Sequence, residues 1–359
     1  MLKWFVFLGL VLLCSSLSTK KRSKYPQNVR VNSKYFLPRK TQEKLFHHYP
    51  IDASLLATDV YIGRENGADG EFFLDTTSGD LEVHLCPSTN LTDAMKPCYL
   101  YQYSPSYINI DNNIAMETFK GQNIDDKWMY NLTFVKSSYK RQNRIGLGWP
   151  SLRKYPQDTF YPDVYFHQKP CLRRFRMQVA RDGCTGGYTW GAICDEYQEY
   201  PTYMVPTTSR SYWQFGFYGL TFGNYTAKFN TNGVVDSTSA YIGMAKKYLK
   251  IFMQQINATW DDEYGGYTQW CYGNFPDLEL QLYNVVLKIK SEQYLYTWMP
   301  LENGKCIVNV EDSGLRGFGP EWYFGLPLFS SYCVSFDYDF GMLSFMYNDM
   351  TSDDPNCHT

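Results

Sequence analysis

The chain has 359 residues, enough for two lobes with their own cores, and its 34 basic and 36 acidic residues leave a formal net charge of −2. So small a net charge gives no electrostatic reason to expect nucleic-acid binding. Aromatic residues make up 18% of the chain and charged residues 19%, a composition that favours β-strands and excludes a disordered or coiled-coil protein.

The N-terminus has the pattern of a secretory signal peptide. A short basic start, Met1-Leu2-Lys3, precedes eleven apolar residues from Trp4 to Cys14 and then a small polar stretch. This apolar run is too short to span a membrane. We therefore predict a signal peptide at residues 1–19 and a secreted or lysosomal protein with no membrane anchor once the signal is removed.

Sequons and cysteines agree with that compartment. Ten cysteines minus Cys14 of the signal peptide leave nine, which allows four disulfides and one free thiol. They form no C-x-x-C pairs, so we predict no metal site. Four N-x-Ser/Thr triplets are candidate N-glycosylation sites: Asn90, Asn131, Asn224 and Asn257.

Along the chain, the polar and basic residues 20–49 are interpreted as a pro-segment or an exposed basic arm. From about residue 55, short apolar runs alternate with Gly, Pro, Asn and Asp, which predicts strands and turns. Apolar residues with a helical period predict one helix over Ala245–Ile256. The clearest predicted strands are Asp59–Gly63, Glu71–Leu74, Leu278–Leu282, Val285–Ile289, Cys306–Val310 and Val334–Phe345.

One short unit occurs twice. Phe73-Leu74-Asp75 is followed by Thr76, Thr77 and Ser78, and Val234-Val235-Asp236 is followed by Ser237, Thr238 and Ser239. Each copy places an aspartate at the end of an apolar strand and hydroxyl side chains directly after it. Two carboxylates brought together in this way can share a proton, so that one acts as a base and the other as an acid.

These residues resemble the two D-T/S-G-S/T motifs of the pepsin-type aspartic proteases. The resemblance covers roughly residues 55–346, and at least seven motifs keep the family's order. The further motifs are Tyr61-Ile62-Gly63, Gly146–Leu152, Tyr212–Phe215, Tyr267–Cys271 with Phe275–Leu278, Phe324–Phe329 and Val334–Asp337.

The resemblance implies an all-β fold with minor helices, built as two lobes around a central cleft. We expect an N-terminal lobe at residues 50–200, a C-terminal lobe at 201–347 and a tail at 348–359. It further implies catalytic roles for Asp75 and Asp236, a monomer, and no cofactor. Supporting hydrogen bonds are expected from the hydroxyls of Thr76, Ser78, Ser237 and Ser239. Disulfides are expected between Cys86 and Cys98 and between Cys271 and Cys306.

The sequence also departs from the family pattern. Thr77 and Thr238 replace the motif glycines, Glu82 stands in place of a Trp, and the flap segment Tyr107–Phe119 has no Tyr-Gly. A branched side chain restricts the backbone where the family's glycine brings an N–H to the carboxylate. We therefore expect Thr77 and Thr238 to lower activity.

Two functions stay open at this point. The first is an acid endopeptidase that cuts peptide or protein substrates in the cleft. The second is an inactive pseudoprotease that binds peptides or proteins there without cutting them.

Overall fold

The computed structural model of the protein describes residues 27–31, 56–63, 68–86, 98–120, 129–137, 143–155, 162, 173–181, 185–190, 201–297, 300–315 and 321–348. The strands are β1 Gln27–Val31, β2 Leu56–Ile62, β3 Ala68–Asp75, β4 Leu81–Val83, β5 Ile108–Asn109, β6 Ile114–Lys120, β7 Met129–Lys136, β8 Asn143–Gly146, β9 Arg174–Val179, β10 Thr185–Trp190, β11 Thr202–Pro206, β12 Gln214–Phe222, β13 Tyr225–Val235, β14 Ile242–Met244, β15 Thr259–Asp261, β16 Gly266–Trp270, β17 Leu278–Gln281, β18 Val286–Ile289, β19 Lys305–Ile307, β20 Val310–Asp312, β21 Trp322–Phe324, β22 Tyr332–Asp337 and β23 Met342–Tyr347. The helices are α1 Lys246–Gln255, α2 Ser291–Tyr294 and α3 Leu326–Ser331.

A four-strand unit occurs once in each half of the molecule. In the first half it runs β3-β8-β4-β7, with parallel, antiparallel and parallel pairings. In the second half it runs β13-β21-β14-β20, with the same three pairings in the same order. Asp75 ends β3 and Asp236 follows β13, so the duplicated motif of the sequence belongs to a duplicated piece of sheet. This repeat is the bilobal, all-β architecture that the resemblance implies.

The largest sheet of the described residues joins the two halves. Its strand order is β11-β23-β22-β9-β10-β1-β2-β3-β8-β4-β7-β6-β5. Strands from the C-terminal part of the chain, such as β22, therefore pair with strands from its first half, such as β9. Strand β1 lies in the middle of this sheet, between β10 and β2. Part of the predicted 20–49 segment thus forms regular structure.

Two glycines allow the crossing strands to touch the motif turns. A Cβ on Gly146 would lie 2.5 Å from the Asp80 backbone nitrogen, and a Cβ on Gly325 would lie 2.2 Å from the Ser239 carbonyl oxygen. Real Cβ atoms do not approach backbone so closely, so only glycine fits at either place. The Gly-Leu-Gly and Phe-Gly motifs of the sequence are explained by this close approach.

A buried aromatic cluster fills the space between the halves. Phe175 stacks on Phe336 with ring centroids 4.4 Å apart, and Trp149 lies 4.5 Å from Trp213. The Leu147 carbonyl accepts two hydrogen bonds here, from the Trp213 indole N–H and from the Tyr338 hydroxyl, both at 2.7 Å. Hydrophobic and polar contacts thus hold the C-terminal residues against the turn segment that follows β8.

Most predicted elements are present, and two are divided. The predicted helix is α1, and the predicted strands near Asp59 and Glu71 are β2 and β3. The run Cys306–Val310 is wrong as one strand, because β19 pairs with β16 while β20 pairs with β14 in another sheet. The run Val334–Phe345 forms a hairpin of β22 and β23. The Asp337 carboxylate stabilises the turn of this hairpin by accepting hydrogen bonds from the N–H groups of Asp339 and Phe340.

The described residues contain the two disulfides expected from the resemblance. Cys86 pairs with Cys98, and Cys271 pairs with Cys306. Cys333 is also disulfide-bonded. The remaining cysteines lie outside the described residues, and so do the signal peptide, Asn90 and the tail at 348–359 apart from Asn348.

The aromatic cluster yields a stability prediction. Replacing Tyr338 with Phe removes one of the two hydrogen bonds on the Leu147 carbonyl and leaves the Trp213 bond in place. We expect a loss of about 1 kcal/mol in the free energy of unfolding, the usual value of one such bond. Urea denaturation of the oxidised protein measures it. Tyr283→Phe, at a side chain that is 93% exposed, is the control. Equal denaturation midpoints for Tyr338→Phe and wild type would contradict the prediction.

Candidate active site

Both candidate catalytic aspartates are buried at the ends of equivalent strands. Asp75 is 2% exposed and Asp236 is fully buried. The backbone of each aspartate is bonded to a neighbouring segment of the chain: Leu147 N–H donates to the Asp75 carbonyl at 2.7 Å, and Asp236 N–H donates to the Phe324 carbonyl at 2.9 Å. Each aspartate is thus anchored through its own backbone, by its carbonyl in the first half and by its N–H in the second.

Four hydrogen bonds join the two motif turns, and we call them the Thr76–Ser237 bridge. The Thr76 hydroxyl donates to the Val235 carbonyl at 2.8 Å and accepts from the Ser237 N–H at 3.0 Å. The Ser237 hydroxyl donates to the Leu74 carbonyl at 2.7 Å and accepts from the Thr76 N–H at 3.0 Å. The cross-lobe hydrogen bonds expected of these two hydroxyls are present, and they are reciprocal.

Thr77 and Thr238 hold one oxygen of each aspartate. Thr77 donates to Asp75 Oδ1 through its N–H at 2.8 Å and through its hydroxyl at 2.6 Å. Thr238 donates to Asp236 Oδ1 in the same two ways, at 2.9 Å and 2.6 Å. The Oδ1 atom of each aspartate therefore receives two hydrogen bonds from a single residue, two positions further along the chain.

This geometry corrects one physical expectation. A branched residue at these positions is expected from the sequence to disturb the donation that the family's glycine makes. The backbone N–H still donates in both turns, and the Thr hydroxyl adds a second, short bond to the same oxygen. The two substitutions therefore add a donor to each carboxylate, and the expected disturbance of the N–H bond is wrong, while lower activity from the added bulk stays a prediction.

The neighbouring serine hydroxyls accept hydrogen bonds within their own turns. The Ser78 hydroxyl accepts from the Asp80 N–H at 3.3 Å, and the Ser239 hydroxyl accepts from the Tyr241 N–H at 3.0 Å. The second oxygen of Asp75 instead forms an ion pair with Arg144, whose Nη1 lies 3.3 Å from Oδ2. Sequence analysis missed Arg144, although a basic residue directly before the Ile145-Gly146-Leu147 motif was a visible signal.

The flap segment forms a hairpin despite its changed sequence. Strand β5 pairs with β6, and the Asp111 carboxylate closes the turn by accepting from the N–H groups of Asn113 and Ile114 at 2.6 Å and 2.8 Å. Asp and Asn favour such turns, so they replace the family's glycine-containing tip. Ile108 and Ile110 are 54% and 44% exposed in this hairpin.

A buried carboxylate that sequence analysis also missed supports the base of the flap. Glu117 is fully buried in β6 and accepts hydrogen bonds from the hydroxyls of Tyr99 and Ser106 at 2.6 Å and 2.5 Å. Burial, together with the bond to Glu117, raises the pKa of Tyr99. Tyr99 therefore stays a neutral phenol and a donor, and it ties the flap strand to the segment after Cys98.

The Thr hydroxyl bonds give a second prediction. Thr238→Val keeps the branched shape and the backbone N–H but removes the 2.6 Å bond to a buried carboxylate. We expect the free energy of unfolding at pH 7 to fall by about 1.5–3 kcal/mol, the usual value of a bond to a charged group. Thr238→Ser, which keeps the hydroxyl, should lose under about 1 kcal/mol. Equal losses in the Val and Ser variants, measured by urea denaturation, would show that the hydroxyl bond contributes nothing.

Comparison with known proteins agrees with this geometry. The chain is 27% identical over 199 residues to Aspartic protease 17 of Caenorhabditis elegans, which covers 54% of this chain and 51% of that protein. It is 27% identical over 213 residues to Aspartic protease 1 of the same organism, which covers 56% of this chain and 52% of that protein. The aligned part of the chain thus spans about half the length of these curated relatives.

The family profile extends over more of the chain than these alignments. The profile described as eukaryotic aspartyl protease matches residues 57–346, which include both motif turns, the flap and the interlobe strands. On this match, and on the repeated strand unit that ends in Asp75 and Asp236, the chain belongs to the eukaryotic aspartyl protease family.

Proposed function

We propose that the chain is an aspartic-type endopeptidase in which Asp75 and Asp236 act as a pair on one water molecule. The observation that carries the proposal is the Thr76–Ser237 bridge. It joins the two turns that hold the aspartates, through four hydrogen bonds between residues about 160 positions apart in the sequence. Family membership supports the same reaction class.

The reaction needs the two carboxylates in different protonation states. The ionised one takes a proton from water, which attacks the peptide carbonyl, and the protonated one donates to the carbonyl oxygen. Two like charges close together disfavour double ionisation, so the shared-proton state is favoured in acid. In each aspartate, Thr77 or Thr238 fixes Oδ1 and thereby orients the other oxygen.

We further propose that the protein acts as a monomer on peptides or proteins in the secretory pathway, in lysosomes or outside the cell. Disulfides support an oxidising compartment. Asn131, Asn224 and Asn257 are exposed, as N-glycosylation requires. No helix among the described residues is long and apolar enough to cross a membrane.

The test is an assay of the purified, processed protein on a mixed peptide library from pH 3 to pH 7, with and without a statine-type inhibitor. We expect cleavage confined to acidic pH and blocked by the inhibitor. Asp75→Asn and Asp236→Asn should each lower kcat/KM by on the order of 1,000-fold or more, because either change removes one partner of the acid–base pair.

Glu302→Gln is the matched control, since it converts an exposed carboxylate to an amide, and it should retain wild-type activity. Cleavage at pH 7 that survives both aspartate substitutions would overturn the proposed mechanism. A folded wild-type protein that cleaves no peptide would favour the pseudoprotease.

A further inference from the structure

The ion pair between Arg144 and Asp75 lies within the proposed catalytic site. Arg144 Nη1 lies 3.3 Å from Asp75 Oδ2, and the two side chains are 14% and 2% exposed. Thr77 donates only to the other oxygen, Oδ1. The guanidinium therefore bonds the carboxylate oxygen that Thr77 leaves available for the reaction.

The sheet register explains why Arg144 stands there. Arg144 is the central residue of a cross-strand row, with Phe73 of β3 on one side and Glu82 of β4 on the other. Directly opposed residues share a face of the sheet, with Cβ atoms about 4.5–5.5 Å apart. Arg144 is thus placed between two acidic neighbours, Glu82 beside it and Asp75 at the end of the adjoining strand.

The second half of the molecule shows that the fold does not need this charge. At the equivalent position of its repeated unit stands Tyr323, opposed by Val234 and Gly243. Tyr323 lies over Gly243, where a Cβ would be 1.9 Å from its ring, and its hydroxyl donates to Glu311. The same backbone therefore accepts an uncharged side chain, whose hydroxyl bonds Glu311 of β20.

The charges around Arg144 form an alternating series. Lys154 Nζ lies 3.4 Å from Glu82 Oε1, and the Glu82 side chain is 7% exposed. Lys154, Glu82, Arg144 and Asp75 are two cations and two anions, so the group is neutral when all four are ionised. Because a buried charge is costly without a partner, a second anion that pairs with Arg144 offsets the loss of its bond to Asp75.

We propose that Arg144 selects peptides with an acidic side chain next to the scissile bond, an inference that rests on the proposed endopeptidase function. A peptide carbonyl that reaches Asp75 must come within a few ångströms of the guanidinium, which lies 3.3 Å from the same carboxylate. A substrate Asp or Glu can form a paired hydrogen bond with the planar guanidinium. It then replaces Asp75 as the counter-ion and frees Oδ2 for the water. A neutral substrate leaves Arg144 on Asp75.

The experiment uses peptide pairs in which one residue is Glu in one peptide and Gln in the other. This residue is placed first directly before and then directly after the cleaved bond. At pH 5, we expect wild-type kcat/KM to be at least about tenfold higher for the Glu peptide at one of these positions. At pH 3 the preference should shrink, because the substrate Glu, with an ordinary pKa of about 4.3, is then mostly protonated.

Arg144→Met should bring the Glu/Gln ratio close to one. Lys228→Met removes one positive charge from an exposed residue of β13, seven positions before Val235, and should leave the ratio unchanged. An active Arg144→Met protein with the wild-type ratio would overturn the inference and leave the proposed function standing. A wild-type ratio near one at both pH values would overturn it without any variant.

A binding measurement tests this inference separately from the proposed function. If neither the wild type nor the variants cleave any peptide, the proposed function fails, and fluorescence polarisation with labelled forms of the same peptide pairs tests Arg144 directly. Tighter binding of the Glu peptide by wild type, lost in Arg144→Met and kept in Lys228→Met, would support the acidic site. Equal binding of the Glu and Gln peptides would overturn it.

Discussion

The Thr76–Ser237 bridge is the constraint on which the site depends. A hydroxyl is the smallest side-chain group that donates and accepts at once, and here each does both, to a carbonyl and from an N–H of the opposite turn. All these groups are buried, so a side chain without a hydroxyl would leave backbone polar atoms unpaired. The bridge thus joins the two turns that carry the aspartates of two separate sheet units.

Close packing of one backbone segment against another also holds the two motif turns in place. Gly146 and Gly325 let the crossing strands touch the turns at Asp80 and Ser239, where no Cβ fits. Against that fixed frame, Thr replaces the motif glycine in both halves and makes the same pair of bonds to its aspartate. The equality of the two halves indicates that the turn itself, and no neighbour peculiar to one lobe, directs the Thr hydroxyl to the carboxylate.

The two halves differ in the strands that pair beside the aspartate-bearing strands. The first half has Arg144 and Glu82 where the second half has Tyr323 and Gly243. One aspartate therefore has a guanidinium on its second oxygen, while the equivalent tyrosine in the other half bonds Glu311. A duplicated backbone thus carries unlike chemistry on its two sides. Such a difference lets one side contribute to substrate choice without a change in the frame that holds the aspartates.

The sequence by itself determined the features that local pattern encodes. Apolar runs that end in Asp75 and Asp236 predict strand ends, the spacing of apolar residues predicts α1, and the ordered motifs predict the family and two disulfide pairs. Only the tertiary structure decided how Thr77 and Thr238 act, that Glu117 is buried beneath the flap, and that Arg144 contacts Asp75. The physical reason is distance along the chain: Arg144 and Asp75 are 69 residues apart, and they meet only because β8 pairs in parallel with β3.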